Sequence, residues 1–227
     1  MHRVLVCCLL LLPFSCLLAQ NPSDSLHQVW NNTELPDTSR LKAGIAIGEN
    51  FLFEGDTLKA TQAFNDVLAF TGQSGDGLLR AKGLMGIGIA YHSRQDYEQA
   101  RIWLSKAIPK CKQLGDTTSY LDALYYRMWA SFSLRDFPAT ISQAKELLYD
   151  DFAQHDTASL LSASATAGLG YQSISHVDSA LFFFYKMDTL FSLYSLTTPT
   201  TRAQNLVDIS TIYVDENQNQ KALDLLF

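Results

Sequence analysis

The chain has 227 residues, 18% of them charged, with 17 Lys and Arg against 23 Asp and Glu for a formal net charge of −6. That balance excludes the clustered positive field that a broad nucleic-acid footprint requires. Of its cysteines, Cys7, Cys8 and Cys16 crowd the first residues and Cys111 stands alone, so a chain processed after that region has no intrachain disulfide to form.

Met1, His2 and Arg3 precede an apolar run from Val4 to Leu12, the form of an export signal. The run is too short to cross about 30 Å of hydrocarbon as a helix. Residues 1–19 are therefore predicted to be a signal peptide cleaved after Ala19, which leaves Gln20 first and, with Arg3 lost, takes the charge from −6 to −7. Ala-Gln junctions of this kind resemble those of exported proteins of the Bacteroidota, which implies a periplasmic or cell-surface location. Cys16 offers a lipoprotein alternative, although Pro13 and Phe14 fit a lipid-attachment motif badly. Residues 20–37, rich in Asn, Ser, Asp and Pro, read as a polar lead-in before the first helix.

From residue 38 to 227 one pattern recurs every forty residues. Gly48, Gly88 and Gly168 share a column, as do Phe51, Tyr91 and Tyr171; Ala60, Ala100 and Ala180; and Phe64, Leu104 and Phe184. In the second unit Leu84, Ile87, Gly88 and Tyr91 line one helical face. A break at Ser93 to Asp96 precedes a second face of Tyr97, Ala100, Leu104 and Ala107. Each unit is therefore a helical hairpin, and small residues on facing surfaces let the axes approach closely. Asp76, Asp116 and Asp156 keep the same period at positions suited to cap the first helix. The units fall near 41–80, 81–120, 121–160 and 161–202, with an incomplete one at 203–227 whose Ile209, Ser210, Tyr213 and Ala222 are slipped to a spacing of forty-two.

The third unit is the poor copy. Thr140 replaces the small alanine, and Met128 and Ser131 occupy the glycine and aromatic columns. A shift of one residue would bring Phe132 into the aromatic column and Trp129 into the small one, and the sequence leaves both registers open. The last unit stops in its second helix with Leu223, Leu225, Leu226 and Phe227 uncovered. Solenoids normally close with a polar helix, so the chain is expected to be truncated or the front of a longer protein.

These columns resemble the tetratricopeptide repeat (TPR) family, in a long variant of about forty residues rather than the usual 34. The resemblance covers residues 37 to 227 and implies an all-α, right-handed superhelical solenoid that binds a protein or peptide without catalysis. It also extends to exported TPR sensor regions of Bacteroidota, which implies the sensory front of a regulator; a free periplasmic or surface assembly adaptor is the alternative. The lysine and asparagine with which some members hold a C-terminal carboxylate are absent, because the matching places hold Ile45 with Glu49 and Met85 with Ile89.

No constellation for catalysis, metal or cofactor emerges. The histidines have no pair spaced to place two ligands on one helical face. Gly83, Gly86 and Gly88 imitate a dinucleotide fingerprint by letter only, since no strand precedes them. A hydrolytic enzyme would need paired carboxylates converging in the groove, and the sequence motivates Glu49 and Asp122 too weakly to nominate them. The working surface implied by the resemblance is the concave face lined by each unit's first helix: Met85, Ile89 and His92 in the second unit, Tyr125, Trp129 and Phe132 in the third, Leu169 and Gln172 in the fourth. Large aromatics there could anchor a peptide, or simply fill the solenoid core. Leu181 to Leu196 carries aromatics on every side, which asks for cover by the next repeat, by a second copy or by another domain. With Lys186 and Asp188 inside it, a membrane span is not expected. The unfinished last helix offers a second surface for self-association.

Overall fold

The computed structural model describes residues 22–74, 76–194 and 199–226. The predicted signal segment, residues 195 and 196 of the aromatic run, and Phe227 lie outside them. Eleven α-helices and no strand occur among the described residues. A first helix, α1 (Pro22–Asn31), precedes five hairpins: α2 (Asp37–Phe53) with α3 (Thr57–Ser74), α4 (Gly77–Ser93) with α5 (Tyr97–Gln113), α6 (Thr117–Ser133) with α7 (Phe137–Leu148), α8 (Thr157–Ser173) with α9 (Val177–Leu193), and α10 (Pro199–Asp215) with α11 (Asn219–Leu226). Their first helices begin at 37, 77, 117 and 157, then at 199, so the slip of two residues falls between the fourth and fifth hairpins. Besides pairing within hairpins, α2 packs on α4, α4 on α6 and α6 on α8, with no comparable packing between successive second helices. The array therefore curves with its first helices on the inside.

Turn and cap chemistry repeats at half the core period. Asp76, Asp116 and Asp156 cap α4, α6 and α8 through the backbone N–H of Leu79, Ser119 and Ala158. Asp56, Asp96 and Asp136 do the same for α3, α5 and α7, accepting from Lys59, Gln99 and Ala139. The residue before each of these second-helix caps is in the left-handed region: Gly55 at φ 80°, then Gln95 at 65°, Arg135 at 59°, Ser175 at 59° and Asn217 at 59°. Glycine takes that conformation without a Cβ penalty; the other four are held there by the hairpin they close.

The glycine column is where helices meet. A Cβ on Gly48 would stand 2.6 Å from the Phe64 ring, one on Gly88 2.6 Å from Leu104, and one on Gly168 2.6 Å from Phe184. Phe64 is also gripped from the next hairpin, since a Cβ on Gly86 would lie 2.5 Å from its ring. Because α6 starts in phase with α4 and α8, the third unit keeps the unshifted register: Met128 and Ser131 sit in the glycine and aromatic columns, fully buried. Its oddity is a reciprocal exchange. Where other units set glycine against Phe or Leu, this one sets Met128 against Ala144, both at 0% exposure in one cluster. Total volume is conserved, which is what a packed core tolerates. Thr140, also fully buried, satisfies its hydroxyl by donating to the Asp136 carbonyl at 2.8 Å.

Two features depart from the repeat. The polar lead-in contains α1, so the helix at Asp37 is the second among the described residues. Trp30 anchors α1 at the site where a Cβ on Gly44 would come within 2.5 Å of its ring, and meets Phe70 edge-on at 5.8 Å. The second departure is α7, which stops at Leu148 and is followed by a single 3-10 turn, Ala153–His155. There Asp150 accepts from Lys112 Nζ at 2.9 Å and from the Tyr120 hydroxyl at 2.7 Å, while Lys112 also donates to that hydroxyl at 3.0 Å. The three side chains fasten α5, α6 and the connection to α8 at one point. Phe152 closes over it, edge-on to Tyr120 at 5.8 Å.

The apolar segment around α9 is covered on one side only. Phe183, Phe184, Met187, Leu190 and Phe191 are buried, whereas Phe182, Tyr185, Leu193 and Tyr194 are exposed.

Candidate functional site

The inner face presents three side chains from α4 and a stripe from α6. Asp122, Tyr125, Trp129 and Phe132 follow at steps of three and four residues, so they share one side of α6. All eight sequence-nominated groove residues are half-buried. Met85, Ile89, Tyr125 and Trp129 rest one side on the central core, so they serve packing and surface together.

Ring contacts join α4, α5, α6 and α7 into a ladder. His92 meets Tyr97 at 5.3 Å and Tyr126 at 5.2 Å; Tyr126 meets Tyr125 at 5.2 Å; Trp129 lies 6.3 Å from Tyr125 and 5.5 Å from Phe132. Phe132 continues to Phe137 at 5.9 Å. Most of these pairs are edge-to-face, the arrangement favoured by ring quadrupoles. His92 Nε2 and Trp129 Nε1 are buried without a hydrogen-bond partner among the described residues. Burial lowers the His92 pKa, so its ring is neutral at neutral pH. Leu169 and Gln172 stand apart from the ladder. Leu169 joins the next apolar cluster with Phe184 and Ile209, and Gln172 lines a cleft of about 140 Å³ with Val177 and Ile212.

Sequence reasoning undervalued the acidic edge of this face. Asp122 lies between two clefts of about 260 and 360 Å³ that share Leu121, Asp122 and Asp156. Its side chain is open to water, yet burial, followed by the charges of Asp156 and Asp116, raises its pKa. Open to water but hemmed in by protein is the condition of a group on a concave wall. Glu49 shows the same effect on α2, raised by burial and partly offset by Lys82. Glu49 and Asp122 lie on α2 and α6, with α4 between them. Tyr126 is a further member that the sequence did not single out; only contact with His92 reveals it.

Elsewhere, His27, Trp30, Phe51 and Lys59 line a cleft of about 300 Å³ beside α1. Among the described residues no group of three or more His, Cys, Asp or Glu side chains is placed to hold a metal ion, and no helix is long and apolar enough to cross a membrane. Cys111 is buried, and burial pushes its thiol pKa up to about 11, so it is a poor nucleophile.

No known family profile and no curated protein sequence matches the chain. Solved structures do. The apo form of RapI superposes with a TM-score of 0.76 at 8% identity over 89% of this chain; the chain spans 56% of RapI's length. BtubC (BKLC) from P. vanneervenii gives 0.71 at 15% identity, covering 90% of this chain and 84% of its own. A kinesin light chain of Podosopora anserina with nearly identical TPR-like repeats gives 0.66 at 15% identity, covering 85% and 93%. The helical hairpins, their forty-residue period and these superpositions agree: the chain is, by fold, a TPR-like helical-repeat protein.

Proposed function

We propose that the protein is a non-catalytic scaffold that binds an extended protein or peptide segment in its inner groove. The observation that carries this is the half-buried ladder from His92 to Phe132, anchored in the core on one side and open on the other. Such rings offer contact area at little cost in side-chain entropy. Likeness to TPR-like repeat proteins supports this reading.

The export signal read in residues 1–19 belongs to the same proposal: the groove would work in the periplasm or at the cell surface, as the sensory front of a regulator. The free adaptor is a second reading, favoured by the exposed Phe182, Tyr185 and Leu193 on α9, a surface for a second contact.

A photo-crosslinking side chain at Phe132, compared with one at the outward-facing Ile102, tests the groove in cells. Partner adducts formed at Phe132 and lost on Trp129→Ala, with helix content unchanged, are expected. Equal adducts from both positions would refute groove binding.

A further inference from the structure

The acidic edge of the ladder has no counter-charge of its own. Asp122 makes no hydrogen bond or ion pair among the described residues. Four cations on α4, α5 and α6 are paired elsewhere: Lys82 to Asp116 at 3.7 Å, Arg101 to Asp136 and Glu98, Lys112 to Asp150, and Arg127 to Glu146; His155 lines the smaller cleft beside Asp122 and Asp156 but not the larger. Its acidic neighbours cannot swing away either. Asp156 is held by Ala158 N–H and the Ser159 hydroxyl as the cap of α8, and Asp116 by Ser119 N–H as the cap of α6. Asp116 is offset by Lys82, so the unpaired negative charge that the fold holds at this point is that of Asp122 and Asp156. The cleft of about 360 Å³ in which Asp122 and Asp156 stand is walled by Tyr125, and an aromatic face attracts a cation directly.

We propose that this cleft is the specificity pocket of the groove and takes a lysine or arginine side chain of the bound segment, between Asp122, Asp156 and Tyr125. The inference rests on the groove reading and adds the chemistry of the partner. It also sets a spacing. Asp122 and Trp129 are seven residues apart on α6, about 10 Å at 1.5 Å per residue. An extended chain covers that distance in about three residues. The partner motif is accordingly a basic residue with an apolar or aromatic residue three positions away, the latter seated on Trp129 and Phe132.

The probe is the peptide fluorescein-β-alanyl-Ser-Phe-Gly-Ser-Arg-Ser-Gly-Phe-Ser-amide, with Phe on both sides so that either chain direction can be read. Two companions replace Arg with citrulline or with Glu. Fluorescence anisotropy should show the citrulline peptide binding about fivefold to tenfold more weakly, the range for an ion pair and cation–π contact on a partly open wall. The Glu peptide should bind more weakly still. In Asp122→Asn the preference for Arg over citrulline should shrink to the part that Asp156 and Tyr125 supply, with citrulline affinity unchanged, whereas Trp129→Ala should weaken both by the same factor. If wild-type protein binds Arg and citrulline peptides equally and Trp129→Ala weakens both, the groove stands and the basic pocket falls. If the Arg peptide shows no binding up to millimolar concentration, the pocket falls as well, and crosslinking from Phe132 judges the groove separately.

Discussion

His176 is the one second-helix cap position in the first four hairpins without a carboxylate, which makes His176→Asp a direct test of what the repeated caps contribute. Its backbone, at φ −91° and ψ 73°, matches Asp96 at −87° and 72° and Asp136 at −81° and 70°, yet no side-chain bond caps α9. An aspartate there would face Ser179 N–H as Asp96 faces Gln99 N–H at 3.3 Å and Asp136 faces Ala139 N–H at 3.2 Å. Such a cap contributes about 1 kcal/mol, and its charge at the positive end of the helix dipole adds about 0.5 kcal/mol. Against this stand the loss of the His176 ring beside Tyr171 at 6.2 Å, about 0.5 kcal/mol, and a like charge at Asp178. The net gain is about 1 kcal/mol, or about 2–4 °C in Tm for a domain of this size. Urea denaturation followed by far-UV circular dichroism measures it. His176→Asn, which caps without charge, should recover most of the gain, and the advantage of Asp over His should fade as pH falls through about 4. A midpoint that stays put or drops, with native helix content, would refute the reasoning that cap geometry is preset at this turn.

Other substitutions separate packing from propensity and test the charges. Gly86→Ala places a methyl 2.5 Å from the Phe64 ring and should cost about 1–2 kcal/mol net of helix propensity, whereas Gly72→Ala, whose Cβ meets nothing closer than Arg80 Nη1 at 3.8 Å, should gain about 0.5–1 kcal/mol; paired urea melts decide. Asp150→Ala removes the acceptor of three hydrogen bonds, from Lys112, Tyr120 and the Phe152 N–H, and leaves the Tyr120 hydroxyl with Lys112 alone, so a loss of about 2 kcal/mol is expected. Burial would raise the Asp150 pKa, but the bonds from Lys112 and Tyr120 outweigh it and hold it below the ordinary range; its contribution is present above about pH 4 and is lost as pH falls through that depressed value. Asp122 runs the other way. Its raised pKa means that stability falls as pH climbs through the carboxylate range, so Asp122→Asn should raise the denaturation midpoint at pH 7 and leave it unchanged at pH 3.

The hairpins were legible in the sequence because each forty-residue unit must bury the same face, which forces glycine, aromatic and alanine columns into phase. The third unit's register was not, because Met128 and Ser131 match neither column. The deciding sign was available in Ala144, which stands where the other units carry Phe or Leu and makes the methionine a complement rather than a misfit. Two elements left weaker marks. α1 is polar except for a few anchors such as Trp30, and α7 ends at Leu148 because Asp150 is drawn to Lys112 and Tyr120, partners 38 and 30 residues away. The aromatic half of the site could be nominated from the first-helix positions. The acidic half could not, because Asp122 gains its character first from burial on the concave wall and then from Asp156 and Asp116, which the sequence shows only as caps.

The fastening of Lys112, Tyr120 and Asp150 bears on how the molecule comes apart. In an array whose hairpins touch only their neighbours, opening starts at whichever end is weakest and spreads inward. A clasp at mid-chain acts as a stop for that fraying. Amide hydrogens of α5 and α6 should therefore exchange more slowly than those of α2 and α10, and a molecule tugged from both ends should give way at its margins first while the ladder of rings keeps its shape.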